Sequence, residues 1–219
     1  RSTVSAVGGK RHGVFRAYKF FEEKTGSPDG ELSLKEWFFV PEQSLAEATN
    51  GKIFRDDLGD FTDIRKRISY MPEDVRLKKL AGNLILMGQS GQYNYARCVK
   101  RGETAAAQLS ICEFVKSAMN VIFLLNKKYI PYYKWSFRAL RELAKLSCAC
   151  GDLEYLLTSE NKAEDVLKKE QIIESVCKQV FNELKNQNIT AYMGTDAEGH
   201  AYAVNNEIKD VDIRNLHIL

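Results

Sequence analysis

The residues best suited to binding chemistry lie between Gly91 and Leu146, where tyrosines and a tryptophan alternate with lysines and arginines. Arginine offers paired donors to a phosphate or carboxylate, and aromatic rings stack on flat ligands such as nucleobases. This composition favours a site for a small anionic ligand or a nucleotide. The alternative is structural, because the same residue types also pack at helix ends and cap carbonyl groups.

Two groups in this stretch are candidates for opposite walls of one pocket. The candidate ligand-binding residues are Tyr93, Asn94, Arg97, Arg101 and Glu103 on one wall, and Lys134, Trp135 and Arg138 on the other. Within each group, two cations are four residues apart and would share one face of a helix, as an anion clamp needs. In this hypothesis Tyr93 and Trp135 stack on the ligand, and Glu103 orients an arginine or contacts a substrate hydroxyl or amine.

A run of acidic residues is the other place where chemistry could occur. It comprises Asp56, Asp57, Asp60 and Asp63. Carboxylates after a strand can hold Mg²⁺ for phosphoryl transfer, and a metal-dependent enzyme built on the first three is therefore one hypothesis. An acidic turn with Asp60 as a helix N-cap is the alternative. The chain has no Walker loop, no GxGxxG, no HExxH and no Cys/His zinc pattern, so no metal ligand or catalytic residue is assigned.

Composition places the chain among ordinary globular proteins. It has 219 residues, of which 44% are apolar and 28% charged, with a net charge of +3. So small a net charge argues against nucleic acid as a partner. The longest apolar run, Ala118 to Leu125, is too short for a membrane span, so no membrane partner is expected. Five scattered cysteines indicate reduced thiols and a cytoplasmic protein.

Short elements are predicted before Tyr70. Residues 1–13 are expected to be a flexible lead-in, since they are rich in Gly and Ser. Ser33 and Glu36 form a capping box at the start of a short helix. Lys52 to Arg55 is predicted to be a strand-like extended piece. A domain boundary is placed between residues 71 and 72, where the pattern changes.

Longer helices follow the boundary. They are predicted at Glu73–Ser90, Gly102–Asn126, Pro131–Cys148, Ala163–Asn186 and Gly199–Lys209. In the first of them Arg76, Lys78 and Lys79 are expected to face solvent. In the second a polar stripe containing Lys116 and Ser117 either faces water or lines a cavity. The fold class is therefore mainly α, an antiparallel helical bundle over residues 72–219.

Several long segments resemble a known family. They are TNGKIFRDDLGDFTDIRKRI, YMPEDVRLKKLA, GQYNYARCVKRGE, FLLNKKYIPYYKWSFRALREL and IKDVDIRNLHIL. Together they resemble an uncharacterised helical domain family of bacterial proteins, found C-terminal to a minimal nucleotidyltransferase head of the DNA polymerase beta type. The helical domain in such proteins is similar to the substrate-binding bundles of antibiotic nucleotidyltransferases.

The resemblance implies a division of labour between the head and the bundle. In the family, an α/β head carries a Gly-Ser motif and two aspartates that bind Mg²⁺ and a nucleoside triphosphate. This chain has no such element, since Gly26-Ser27 runs into the turn Pro28-Asp29-Gly30. Residues 14–71 are therefore interpreted as the C-terminal part of a head, with its last strand at residues 53–56. Mg²⁺ and a nucleoside triphosphate are expected only if a catalytic head is supplied, and whether the chain is an enzyme is left open.

Two functions from different classes follow. The first is a substrate- or nucleotide-binding helical domain of a nucleotidyltransferase-like protein. The second is a non-catalytic protein-interaction or dimerisation module, with Tyr129, Tyr132 and Tyr133 as interface anchors, which makes a homodimer possible. Because the chain begins at Arg1 and not at Met, it is also expected to be a fragment or a processed form.

Overall fold

The fold is helical throughout the part that the structure describes. A computed structural model describes residues 14–218, apart from the side chains of residues 163 and 164. Within residues 14–218 there is no β-strand. The prediction of a mainly α protein is confirmed. The predicted flexible lead-in, residues 1–13, lies outside the described residues.

Four short helices build a first small core. They are α1 (Ala17–Thr25), α2 (Leu34–Phe39), α3 (Glu42–Thr49) and α4 (Asp60–Arg67). The predicted capping box is confirmed, because Ser33 Oγ accepts from the Glu36 amide at 3.3 Å and the Glu36 carboxylate accepts from the Ser33 amide at 2.7 Å. Phe21, Trp37 and Leu45 are buried together between these helices. The apolar core of this part of the chain is therefore formed by helix packing.

The extended piece predicted over residues 52–55 is confirmed, but the strand that the resemblance placed at residues 53–56 is wrong. This segment is extended but pairs with no other segment of the described chain, and the Phe54 side chain is 96% exposed. Arg65 holds the preceding turn instead, donating to the carbonyl of Asn50 at 2.8 Å and of Gly51 at 2.9 Å. A strand needs a partner for its backbone groups, and the described residues offer none to this segment, since the arginine binds only the carbonyls of the turn before it. The structure therefore gives no support for an α/β head in residues 14–71.

The remaining helices form a larger bundle. They are α5 (Glu73–Met87), a π-helix (Gly88–Tyr95), α6 (Ala96–Lys100), α7 (Thr104–Leu125), α8 (Tyr133–Arg141), a 3₁₀ turn (Ser147–Ala149), α9 (Cys150–Thr158), α10 (Ala163–Asn186), α11 (Ala197–Asn206) and α12 (Val211–Asn215). The predicted bounds of α7 and α10 agree with the structure to within two residues. Both helices are long and strongly periodic, which is where sequence patterns are most informative.

Two predicted helix bounds are wrong. Gly91 does not end the helix before it, because the chain continues through the π-helix into α6. The helix predicted over residues 131–148 is divided, with α8 ending at Arg141 and Leu146 in the left-handed region at φ 60°. Gly151, three residues after the predicted end of that helix, lies inside α9. An isolated glycine is tolerated in a helix that packing supports.

Hydrogen bonds between helices give their directions. Arg76 Nη1 donates to the Leu124 carbonyl at 3.1 Å, and Ser110 Oγ donates to the Ser90 carbonyl, so α5 and α7 are antiparallel as predicted. In contrast α7 and α10 run parallel, because Gln108 contacts Lys169 at one end and Leu125 contacts Gln187 at the other. The intervening α9 returns the chain to the starting end, so α10 repeats the direction of α7.

The central position of α5 buries two cations that were expected to face solvent. The Arg76 and Lys78 residues are 3% and 1% exposed, since α7, α11 and α12 cover α5 on several sides. The Lys78 ammonium donates to Asn205 Oδ1 at 2.8 Å and to the carbonyls of Arg214 at 2.9 Å and Leu216 at 2.6 Å. Lys78 therefore fastens α12 and the following residues to the middle of the bundle.

The polar stripe on α7 has a mixed environment. Lys116 is exposed, whereas Ser117 is buried and its hydroxyl has no hydrogen-bond partner among the described residues. Asn120 donates to Asn83 Oδ1 on α5 at 2.9 Å. Glu113 lines a cavity beside the π-helix. Part of the stripe thus faces water and part lines a cavity, so each of the two interpretations holds for some of its residues.

Helix α7 is the core helix of the bundle. The helix, with 22 residues, is long and apolar enough to cross a membrane by length and composition, and its apolar window has a mean hydropathy of 1.4. The expectation that no stretch reaches the length of a membrane span was therefore too strong. However, 67% of that apolar window is buried inside the protein. The apolar composition is explained by packing against α5, α9 and α10.

Candidate functional site

The candidate site is built around a π-helix, Gly88–Tyr95. A π-helix closes its hydrogen bonds from residue i to i+5, and such segments are rare and frequent at functional sites. Small residues make it possible here, since Gly88, Ser90 and Gly91 are all buried. A Cβ on Gly91 would lie 2.4 Å from Phe114 Cδ2 and 2.9 Å from Ile173 Cγ2. The π-helix backbone therefore lies directly against α7 and α10.

The end of the π-helix is fixed by a buried polar network. Tyr95 is fully buried, and its hydroxyl donates to Asn161 Oδ1 at 3.1 Å. The buried Lys169 ammonium donates to the same Asn161 oxygen at 3.0 Å and to the Ser159 carbonyl at 3.0 Å. Burial raises the pKa of Tyr95 to about 12, so the phenol keeps its proton and remains a donor. The network makes the π-helix a rigid base for the residues that precede Tyr95.

Gln89 and Asn94 form an exposed polar ridge on this base. They are five residues apart, which is the spacing that the hydrogen bonds of a π-helix join, so the two amides lie near the same face. In an α-helix the same spacing would turn them away from each other. Both residues are exposed, and both line two cavities, one of about 440 Å³ towards α11 and one of about 400 Å³ towards α7.

The larger of these cavities, called the π-helix cavity below, is closed by the start of α11. Its lining residues are Gly88, Gln89, Gln92, Tyr93, Asn94, Asp196 and Glu198. Gln92 fixes the two walls relative to each other, because its side chain donates to the Thr195 carbonyl at 2.9 Å and accepts from the Ala197 amide at 2.8 Å. The cavity is therefore preformed, with its polar groups carried on two helices.

The charged groups of the π-helix cavity are carboxylates. Asp196 accepts from the Tyr192 hydroxyl at 2.7 Å and from the Gly199 amide at 2.6 Å, and these bonds hold the pKa of its carboxyl below the usual value. Glu198 is exposed and, within residues 14–218, makes no hydrogen bond or ion pair. The neighbouring cavity adds Glu113. Such walls suit ligands that donate hydrogen bonds or carry positive charge.

A buried histidine supports the loop behind Asp196. His200 is fully buried, stacks on Phe181 with ring centroids 4.1 Å apart, and has Nε2 3.1 Å from the Gly194 carbonyl. Burial lowers the pKa of His200. The neutral ring must therefore carry its proton on Nε2 to bond that carbonyl, which leaves Nδ1 without a partner in the described structure. His200 holds the residues before α11 in place.

Two of the five residues predicted for the first wall lie together at one cavity. Tyr93 and Asn94 both line the π-helix cavity. Arg97 lies over the Tyr93 ring, 4.4 Å from its centroid, and donates to the Tyr93 hydroxyl. Arg101 and Glu103 are exposed in the turn between α6 and α7. Arg97 therefore contributes to the shape of the rim through Tyr93, and its role in binding an anion stays a prediction.

The second predicted wall lies on α8. Lys134, Trp135 and Arg138 are exposed, and the Lys134 ammonium is 5.9 Å from the Trp135 ring centroid. The first wall precedes α7 and the second follows it, and the 22 residues of α7 span about 33 Å. The structure places α11 opposite Tyr93 and Asn94. A single pocket that joins the two predicted walls stays a prediction.

Asp196 and Glu198 were missed because nothing in their local sequence indicates a pocket. The segment Thr195-Asp196 before a helix is an ordinary capping pattern, and Asp196 does cap α11. Its nearness to the π-helix depends on Gln92, about a hundred positions earlier in the chain. Only the packing of α11 against α5 brings the carboxylates and the ridge together.

The aspartate cluster has local structural partners. Asp56 accepts from the Thr62 amide at 2.7 Å and the Thr62 hydroxyl at 2.6 Å, which lowers the pKa of its carboxyl. Asp57 pairs with Arg55 at 2.6 Å. Thus Asp56, not Asp60, binds the first turn of α4, whose N-cap is Gly59. Across residues 14–218 no group of three His, Cys, Asp or Glu side chains is placed to hold a metal ion.

A family model described as "Domain of unknown function (DUF4037)" matches residues 37–136. The match begins in α2, crosses the predicted domain boundary at residues 71 and 72, includes the π-helix and α7, and ends within α8. No curated protein and no solved structure matches the chain. The predicted resemblance to an uncharacterised domain family is confirmed by this match.

Proposed function

We propose that this chain, whose residues 37–136 match an uncharacterised domain family, is a substrate-binding helical domain that holds a small amine-bearing molecule in the π-helix cavity. The observation that carries the proposal is the ridge of Gln89 and Asn94 facing the carboxylates of Asp196 and Glu198. Amide groups accept and donate hydrogen bonds, and carboxylates attract ammonium groups.

The shape of the site supports a ligand rather than a purely structural gap. A volume of about 440 Å³ lies within the range of small-molecule pockets. The exposed Gln89 and Asn94 amides have no hydrogen-bond partner within the described residues, so they are available to a ligand. With carboxylates as its charged lining groups, the π-helix cavity favours an amine- and hydroxyl-rich molecule over a phosphate.

The wider setting of the proposal comes from the family resemblance. A substrate-binding bundle of a nucleotidyltransferase-like protein would present its ligand to a catalytic head, with Mg²⁺ and a nucleoside triphosphate bound there. In this proposal the residues around the π-helix cavity are the binding half of that arrangement. The free thiols of Cys98, Cys112, Cys148, Cys150 and Cys177 agree with the proposed cytoplasmic location.

Calorimetric titration tests the proposal. We expect an aminoglycoside or spermidine to bind saturably, and Glu198→Gln to weaken binding about tenfold, since a charged contact is worth about 1.4 kcal/mol. Asn94→Ala should weaken binding by a similar factor. Glu23→Gln, which changes an exposed carboxylate on α1, is the matched control. Equal affinity in the Glu198 variant and the wild type, or tighter binding of inorganic phosphate, would contradict the proposal.

A second candidate function, a dimerisation module, is favoured by an aromatic patch at the start of α8. Tyr132, Tyr133 and Trp135 are 47%, 74% and 53% exposed, and the two tyrosine rings lie 4.4 Å apart. Exposed aromatic clusters with neighbouring cations are typical of interface anchors. The predicted third anchor, Tyr129, is half-buried and donates to the Ile68 carbonyl at 2.8 Å, so it belongs to the fold.

Sedimentation equilibrium distinguishes the two functions. If α8 mediates self-association, the wild-type chain sediments as a dimer at micromolar concentration, and Trp135→Ala shifts it to the monomer because a central aromatic anchor contributes about 2 kcal/mol or more. Leu109→Ala, which removes an exposed apolar side chain from α7, is the control. A wild-type monomer at all concentrations would leave the small-molecule site as the sole candidate.

A further inference from the structure

A second cavity system lies at the other end of α7, between the small first core and the bundle. It consists of two adjoining cavities of about 330 and 500 Å³ that share Tyr70, Lys127, Lys128 and Tyr129. This junction groove is bordered by α3 on one side and by the start of α5 on the other. Ligand sites are frequent at such junctions between packed units.

The two lysines of the junction groove are not needed to cap α7. Basic residues after a helix commonly bind its last carbonyls, which would be a structural explanation for them. Here other groups bind those carbonyls. The Ile122 carbonyl accepts from the backbone amide and the side chain of Asn126, and the Phe123 carbonyl accepts from the backbone amides of Asn126 and Lys128. The Leu124 carbonyl accepts from the Lys127 backbone amide and from Arg76, and the Leu125 carbonyl accepts from the Gln187 side chain. The ammonium groups of Lys127 and Lys128 therefore have no capping role.

The charge balance of the junction groove is positive. Its floor is the buried Arg76, which binds Glu73 through Nε at 3.0 Å and through Nη2, so these two charges cancel. The Lys127 ammonium lies 3.9 Å from the Glu73 carboxylate, which is a long distance for an ion pair. Lys128 makes no ion pair among the described residues. With Glu142 as the one other carboxylate, the lining has one more cation than carboxylates.

Two tyrosines give the junction groove flat walls. The Tyr129 hydroxyl donates to the Ile68 carbonyl at 2.8 Å, which holds its ring in place between the two cores. The Tyr70 side chain is 72% exposed beside it, so one ring is fixed and the other is available for stacking. Tyrosine rings stack on planar ligands and add to affinity, whichever aromatic ring the ligand carries.

We propose that the junction groove binds a small molecule with a planar ring and one anionic group. The anion would lie between the ammonium groups of Lys127 and Lys128, and the ring against Tyr70. A nucleoside monophosphate and an aromatic carboxylate both have this chemistry. The groove is separate from the π-helix cavity: Arg76 near the start of α5 borders the groove, Gly88 directly after α5 borders the π-helix cavity, and the two are about 18 Å apart along the helix.

Titration with four probes tests the proposal: adenosine monophosphate, adenosine, benzoate and inorganic phosphate. The full chain is expected to bind adenosine monophosphate or benzoate saturably, and to bind adenosine and phosphate more weakly because each lacks one half of the recognised group. The double variant Lys127→Gln and Lys128→Gln should bind the ring-bearing anion about tenfold more weakly or worse. Added salt should also weaken the binding of this anion to the wild-type protein, because it screens the charges. Tyr70→Ala should weaken the ring-bearing anion and leave phosphate unchanged.

Matched variants keep the result interpretable. Lys100→Gln with Lys116→Gln removes two exposed lysines outside the junction groove and should leave affinity unchanged. Glu198→Gln should also leave it unchanged, which separates this site from the π-helix cavity. Each variant is shown to be folded if its thermal unfolding midpoint equals that of the wild type. Equal affinity in the Lys127/Lys128 double variant, or no saturable binding of either ring-bearing anion at millimolar concentrations, would overturn the proposal.

Discussion

Replacing Lys78 by methionine is expected to lower the free energy of unfolding by about 3 kcal/mol. The Lys78 ammonium makes three hydrogen bonds, to Asn205, Arg214 and Leu216, from a residue that is almost fully buried. Methionine keeps most of the apolar stem but has no donor, so these acceptors lose a charge-assisted bond in a partly buried site. Denaturant unfolding followed by circular dichroism measures the change.

The Lys78 prediction has a direct control and a clear failure. Lys116→Met makes the same substitution at an exposed position on α7 and should change stability by less than about 0.5 kcal/mol. Hydrogen exchange should also show that α12 opens more readily in the Lys78 variant, because the lysine joins it to α5. Wild-type stability in Lys78→Met would mean that the cost of burying the ammonium equals the gain from its three bonds.

Replacing Gly91 by alanine is expected to destabilise the protein by about 2 kcal/mol or more. The added methyl group would lie 2.4 Å from Phe114 Cδ2, in a buried position between α7 and α10. The ring and the neighbouring Ile173 are both buried in the main core, so neither can move without opening a gap elsewhere. If the π-helix is displaced, the Gln89 and Asn94 ridge moves with it, and ligand affinity at the π-helix cavity should fall together with stability.

A second glycine provides the comparison for Gly91. Gly151 lies in α9, and a Cβ atom added there would have no heavy atom within 4 Å, so Gly151→Ala should stabilise the protein by about 0.5 kcal/mol through helix propensity. Phe114→Leu combined with Gly91→Ala should recover part of the loss, since the shorter side chain makes room for the methyl group. If Gly91→Ala is as stable as the wild type, the close packing of the π-helix against α7 is not tight in solution.

The class of the fold and its longest elements follow from the sequence. Helices α7 and α10 combine length with a regular apolar pattern, and their bounds were predicted to within two residues. The capping box of Ser33 and Glu36 was also predicted correctly, because all of its atoms lie within four residues. The family match covers three of the five long segments quoted from the sequence and part of a fourth, and it does not reach IKDVDIRNLHIL. In each case the determining contacts are local or repeat along one helix.

Only some of the residues of the candidate site were predicted from the sequence. Tyr93 and Asn94 stand out by residue type, and the structure places both on the π-helix cavity. The π-helix itself was not predicted, because its sequence contains two glycines and reads as a helix break. Its stability depends on packing against Phe114 and Ile173 and on the network at Tyr95, which are contacts with distant parts of the chain.

Tertiary structure decided which charged and polar residues are buried and which groups face one another. Lys78 has the sequence context of a surface lysine, and it is buried because carbonyl groups more than 130 residues away surround it. Asp196 and Glu198 face Asn94 because α11 packs antiparallel to α5. The extended segment at residues 52–55 found no strand to pair with. Local sequence determined where the long, regularly patterned helices form, whereas the π-helix, the burial of charges and the composition of both cavities depend on long-range packing, which leaves no periodic pattern in the sequence.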